Sequence, residues 1–125
     1  MKISIKATNI TLTDSIRLQI EQKIGELEKF IKVSKDRNRE IKIKPAYEAW
    51  VEVGKTTRHH KKGDVFRAEV QIHLPGKSLR VESENVDLYQ AIDETRDELK
   101  AELNKYKEKQ ITKHKRDTRK LMQSL

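Results

Sequence analysis

Most of the side chains in this sequence that could do chemistry are cations, and they are grouped. The run Lys55-Thr56-Thr57-Arg58-His59-His60-Lys61-Lys62-Gly63 sits between two alternating apolar stretches, and the turn from Lys77 to Arg80 is basic as well. Lys113, Lys115, Arg116, Arg119 and Lys120 crowd the C-terminal segment. Ammonium and guanidinium groups on projecting loops neutralise phosphates and release their counterions. The formal charge of +8 is distributed unevenly: +2 over 1–32, +5 over 33–63, −1 over 64–84, −2 over 85–109 and +4 over 110–125. Such a field raises both the encounter rate and the affinity for a polyanion, and nucleic acid is the partner it fits best.

Other chemistries find little support. His59 and His60, with His73 or His114, have no carboxylate or thiol at ligand spacing and form no His-x-x-x-His helix, so no metal is expected; in a basic loop they contact phosphate or water. The absence of cysteine removes disulfides, thiolate metal sites and cysteine nucleophiles. Gly54 and Gly76 lack the spacing and the following Lys-Ser/Thr of a nucleotide loop. No Ser/His/Asp set or carboxylate pair stands out, and Tyr89 and Tyr106 read as packing groups, so neither catalysis nor a cofactor is expected. Trp50 could stack on a base, but covering a sheet edge is the commoner role of such a residue.

The elements that must carry these cations follow from period. At 125 residues there is room for one domain and a modest core; 34% hydrophobic against 38% charged residues is polar, but the apolar positions are periodic. Lys2 to Ala7 alternates as a strand. Ile16, Ile20, Ile24, Leu27 and Ile31, at spacings of four, four, three and four, make one face of a helix from Asp14 to Lys32. Residues 33–46 read as a charged connecting loop with a short edge strand at Ile41 to Lys44. Tyr47 to Thr57, Val65 to Leu74 and Lys77 to Glu84 alternate as three further strands, antiparallel because their connections are tight. Asn85 reads as the cap of a second helix, with the stripe Leu88, Ile92, Thr95, Leu99, Leu103 and Tyr106. The fold expected is α+β, in the order βαβββα, with a four-stranded sheet and both helices packed on one face. Residues 1–109 form the domain; from Gln110 the stripe is lost, which predicts a frayed helix or a disordered basic extension over 110–125. The N-terminus reads as a strand and not as a signal peptide, and no run approaches the roughly 18 apolar residues of a membrane span. A soluble protein of a reducing cytoplasm is expected.

Thr13-Asp14-Ser15-Ile16-Arg17, Lys23-Ile24-Gly25-Glu26-Leu27-Glu28-Lys29-Phe30 and above all Asp87-Leu88-Tyr89-Gln90-Ala91-Ile92-Asp93, followed by Leu99 to Lys109, resemble the ribosome hibernation promoting factor family. That family includes the ribosome-associated inhibitor A and was once called the sigma-54 modulation proteins. The likeness spans residues 1 to about 109 and includes the element order. It implies a cytoplasmic, non-enzymatic translation inhibitor of stress and stationary phase. Such a factor binds the small ribosomal subunit and its 16S-type RNA between head and body, where messenger RNA and the A- and P-site transfer RNAs lie. Because the sequence ends at Leu125, the resemblance is to a short form without the dimerisation domain of long members, monomeric when free.

Carried over by residue, the resemblance makes Arg17, Lys23, Lys29 and Lys105 RNA-contacting positions, continued by Lys107 and Lys109. Glu26 stands where a Lys is common, and Glu98 and Ala101 where Lys and Arg are typical. The expected compensation is Lys55, Arg58, His59, His60, Lys61 and Lys62 in the loop and Lys77 and Arg80 at the turn, with the arm Lys113 to Lys120 reaching farther along RNA. A general double-stranded RNA binder is an alternative, since a helix, three strands and a helix resemble that module. A protein-interaction module using an open sheet edge or the acidic face of the second helix is another.

Overall fold

Each alternating segment forms a strand where one of its faces can be covered, and each 3.6-period stripe forms the helix that covers it. The computed structural model describes residues 1–36, 39–42, 48–56 and 63–124. In chain order these are β1 (Lys2–Thr8), α1 (Asp14–Lys32), β2 (Val33–Asp36), β3 (Arg39–Lys42), β4 (Glu48–Lys55), β5 (Phe66–Leu74), β6 (Lys77–Asn85) and α2 (Leu88–Gln123). The main sheet has the order β1-β4-β5-β6. β1 lies parallel to β4, with Ile5 opposite Val51, and the β4, β5 and β6 pairings are antiparallel. The fold is α+β, with both helices on one face of this sheet.

Ala49, Val51 and Val53 of β4, Ala68, Val70 and Ile72 of β5, and Leu79 and Val81 of β6 are buried beneath Ile20, Ile24 and Leu27 of α1 and Ile92, Leu99 and Leu103 of α2. Thr95 is fully buried in this stripe because its hydroxyl donates to the Ile92 carbonyl at 2.7 Å, leaving no orphaned polar group. The two helices run in the same direction. Contacts advance together along them, from Ser15 Oγ with Tyr89 Oη (2.8 Å), through Gln19 Nε2 donating to Asp93 Oδ1 (3.0 Å) and Arg96 with Glu26 (3.6 Å), to Lys107 Nζ over the Phe30 ring at 3.7 Å.

Two local expectations are corrected. Residues 33–42 are not a loop with one edge strand: β2 and β3 pair antiparallel as a separate two-stranded sheet, Val33 opposite Lys42. Strands only two residues apart in sequence satisfy each other's backbone groups without the main sheet, and their charged composition hides the β signal. Residues 43 and 44 of the expected edge strand lie outside the described residues. Asp87, not Asn85, caps α2; its side chain accepts from Tyr89 N at 2.9 Å, while Asn85 Oδ1 accepts from Asp87 N and builds the turn that leads in. Beyond Gln110, where a frayed helix or a disordered extension is expected, α2 is helical to Gln123; residues 110–123 contain no Gly or Pro and many good helix formers. Its residues from Lys113 to Ser124 are all exposed, so the helix leaves the domain as a projecting rod, about 54 Å long in all.

Gly54 marks the tightest point of the sheet: a Cβ there would lie 2.3 Å from the Thr8 carbonyl oxygen, across the parallel β1–β4 pairing. Gly54→Ala should therefore destabilise the domain by about 1–3 kcal/mol through overpacking, and Leu103→Ala by about 2–5 kcal/mol through an unfilled core volume. Urea unfolding reads both; a Gly54→Ala midpoint equal to wild type would show that β1 is not held at this register.

Candidate RNA-binding surface

Pro75-Gly76 turns the chain between β5 and β6, with Gly76 at φ +77°, a conformation that glycine adopts freely. Tyr106 reaches this turn from α2: its ring is buried and its hydroxyl donates to the Pro75 carbonyl at 3.1 Å. Burial raises the phenol pKa above its ordinary value, which keeps the hydroxyl a donor. The clamp places Lys77, the first residue of β6, beside the second half of α2. There Lys77, Lys105, Lys109, Lys113 and Arg116 surround one open depression of about 550 Å³, with Glu108 and Thr112 on its lining.

The helical members of this group belong to a longer line. Lys105, Lys109, Lys113, Arg116 and Lys120 follow at spacings of four, four, three and four, the same period that makes the apolar face of α1. They cover about 22 Å of helix. Lys105 lies 3.4 Å from Glu102, an exposed pair worth little. Lys77, Lys109, Lys113 and Arg116 have no ion-pair partner among the described residues. Upstream on the same line stand Glu98 and Ala101, so the cationic part of α2 starts a turn later than the resemblance implies and continues farther. Lys107 does not join it. Its side chain turns inward over Phe30, and burial lowers its pKa.

The other expected contacts are scattered or occupied. Lys23 is half-buried in the α1–α2 seam, 3.8 Å from Asp93. Lys55 pairs with Asp64 at 3.2 Å, where Thr56 N donating to the Val65 carbonyl closes the base of the basic loop. Arg58, His59, His60, Lys61 and Lys62 lie outside the described residues. Arg80 is on the open sheet face and is held by Glu69 at 2.5 Å and Glu82 at 3.8 Å. Arg67 donates to the same two carboxylates at 2.7 Å each, and its pKa rises, chiefly through the Glu82 hydrogen bond. Arg17 and Lys29 are exposed and unpaired among the described residues, but they stand on different sides of α1 and far apart along it. The structure thus brings together Lys77, Lys105 and Lys109 from the expected set and adds Lys113 and Arg116 from the arm.

The open sheet face is different in kind. Trp50 is 53% exposed there, edge-on to His73 with ring centroids 6.5 Å apart, and His73 Nδ1 is 2.8 Å from Ser78 Oγ. Glu48 and Glu52 flank Trp50 along β4, accepting from Ser4 and Thr8. Trp50 does not cover an edge, because β4 is an interior strand. The Tyr106–Pro75 clamp, which aligns turn and helix, carries no local sequence signal; the 4-4-3-4 spacing of the cations does, once α2 is allowed to continue past Lys109.

Comparison with known proteins gives the family. The family described as Sigma 54 modulation protein / S30EA ribosomal protein matches residues 3–116. Among curated relatives, a ribosome hibernation promotion factor of Staphylococcus aureus is 31% identical over 117 residues, 94% of this chain and 53% of its own length. One of Lactococcus lactis is 29% identical over 109 residues, 86% of this chain and 50% of its own. This chain therefore spans about half the length of these relatives. Among solved structures, the Thermus thermophilus Protein Y N-terminal domain has a TM-score of 0.61 and 29% identity, covering 85% of this chain and 99% of that one. A ribosomal subunit interface protein of Coxiella burnetii, 18% identical with a TM-score of 0.62 over 86% of this chain and 98% of its own, shares the fold. With the matched residues covering nearly its whole length, this chain belongs to the sigma 54 modulation / S30EA ribosomal protein family.

Proposed function

We propose that this chain is a ribosome hibernation factor of the cytoplasm, acting without catalysis by occupying the small ribosomal subunit between head and body. In that cleft it excludes messenger RNA and the A- and P-site transfer RNAs and holds the ribosome idle under stress. The family match over residues 3–116 carries this reading, and the names of the curated relatives support it. The charge distribution agrees: unpaired cations gather on α2 and the β5–β6 turn, the pattern of a rigid body that reads folded RNA by shape and phosphate position.

The mechanism is competition. An inhibitor of this kind needs no chemistry on the ribosome, only enough affinity to outlast the ligands it displaces, and electrostatic attraction supplies that at the ionic strength of the cell. The loop Lys55 to Lys62 contributes a second set of contacts, its ends pinned by the Thr56–Val65 and Lys55–Asp64 pairs.

If roughly five phosphates are neutralised, a fourfold rise in salt should weaken binding to purified small subunits by about two to three decades. Co-sedimentation across a salt series reads this, and bound initiator transfer RNA should compete the protein away. Binding indifferent to the transfer RNA would move the site out of the cleft, and no binding would end the ribosome reading. Arg58→Ala, Lys61→Ala and Lys62→Ala together should reduce affinity and flatten the salt slope by about two to three; an unchanged affinity would remove the loop from the mechanism.

A further inference from the structure

We propose that the depression between the β5–β6 turn and the second half of α2 is a cradle for the backbone of double-stranded RNA, with Tyr106 as its positioning residue. The inference rests on the ribosome reading and specifies which feature of the RNA this surface takes. Three observations carry it. The cations are rigidly spaced: Lys105, Lys109, Lys113, Arg116 and Lys120 are fixed on a continuous helix at roughly one-turn intervals over about 22 Å. Phosphates of a duplex are held at fixed intervals and can meet such a line without first being ordered. Those of a flexible single strand must lose conformational freedom to do so.

The second observation is what the lining contains. The residues around the depression are cationic except Glu108 and Thr112, and none is aromatic. Single-strand binding draws much of its energy from bases stacked on aromatic rings, and this surface offers no ring for that purpose. Tyr106, the nearby aromatic residue, is buried with its hydroxyl on Pro75. Among the described residues the exposed aromatic side chains are Trp50, on the open sheet face between Glu48 and Glu52, and Tyr89, in the first turn of α2 with its hydroxyl on Ser15, and neither lines the depression.

The third is that the cations come from two elements. Lys77 belongs to β6 and stands to the side of the helical line, so the cradle meets more than a single row of phosphates. Its placement depends on the hydrogen bond from Tyr106 to the Pro75 carbonyl, two residues before it. Tyr106 touches no RNA in this account; it acts through the turn. Because Glu98 and Ala101 occupy the upstream positions of the same line, the cradle lies in the part of α2 that begins at Lys105 and projects beyond the domain.

The test uses the whole chain and a fluorescent RNA duplex of about 16 base pairs, with one of its strands alone as the comparison, followed by anisotropy across a salt series. The duplex should bind several-fold tighter than the strand. Lys109→Ala, Lys113→Ala and Arg116→Ala together should lower the salt slope for duplex by about two to three. Equal or tighter binding of the single strand, or an unchanged slope in the triple variant, would overturn the cradle. Tyr106→Phe should weaken duplex binding about two- to tenfold but have no further effect in a Lys77→Ala background, as expected for two residues acting through one contact. The same loss in both backgrounds would show that Tyr106 merely supports the fold. Co-sedimentation of the wild-type chain with small subunits separates the two levels: a chain that sediments yet shows no duplex preference keeps the ribosome reading and loses the cradle.

Discussion

Burial of Leu88, Ile92, Leu99, Leu103 and Tyr106 against β5 and β6 fixes the rotation of α2 about its own axis, and that rotation decides which side chains of a 36-residue helix meet the sheet and which meet solvent. With the stripe anchored, Lys107 falls on the inner side and packs over Phe30, while Lys105 and Lys109, two residues to either side of it, fall outside. A shift of two residues in the buried stripe would exchange these roles. The residues of α2 from Lys113 on are exposed, so the direction of the basic line they carry is inherited from the buried half. The Tyr106 hydroxyl then ties that orientation to the β5–β6 turn, and turn and helix present their cations together.

The same packing sorts the charge of the protein. Ion pairs hold several cations of the open sheet face and of the helix seam: Arg67 and Arg80 share Glu69 and Glu82, Lys23 meets Asp93, and Arg96 meets Glu26 and Asp97, while Lys2 and Lys6 stand exposed on the outward side of β1. These pairs are mostly exposed and add little to stability. Their consequence is electrostatic, because they weaken the field over the middle of the sheet and along the seam, while α2 and the basic segments keep cations without a carboxylate in reach. A rod with unpaired cations on one side suits a ligand whose charges are numerous and regularly placed.

Much of the fold is legible in the sequence because its signals are local. The period-four-and-three stripe sets α1 at Asp14 to Lys32, and strict alternation sets β5 at Phe66 to Leu74 within one residue. Less legible were features that depend on distant partners. That β1 lies parallel to β4, or that β2 and β3 leave the main sheet, is decided by pairing across the fold and not by either segment alone. The loss of the apolar stripe after Gln110 is a loss of packing, not of helix propensity, and the helix continues without packing. For the site, the basic residue types were readable, but not their availability: Lys23, Lys55 and Arg80 look like Lys77 and Lys109 in sequence and differ only in having carboxylates within reach. The Tyr106–Pro75 bond joins residues 31 apart and leaves no trace in either neighbourhood.

Because the sequence has no cysteine, a single one can be introduced as a site-specific probe of which surface faces RNA. Thr112→Cys on the cationic side of α2 and Gln71→Cys on the open sheet face, each carrying a short photo-crosslinker, would be bound to small ribosomal subunits and irradiated. The account predicts crosslinks to ribosomal RNA from position 112 and few or none from position 71. Crosslinks from position 71 with none from 112 would contradict it, by placing the RNA against the open sheet face, where Arg67 and Arg80 are held by Glu69 and Glu82.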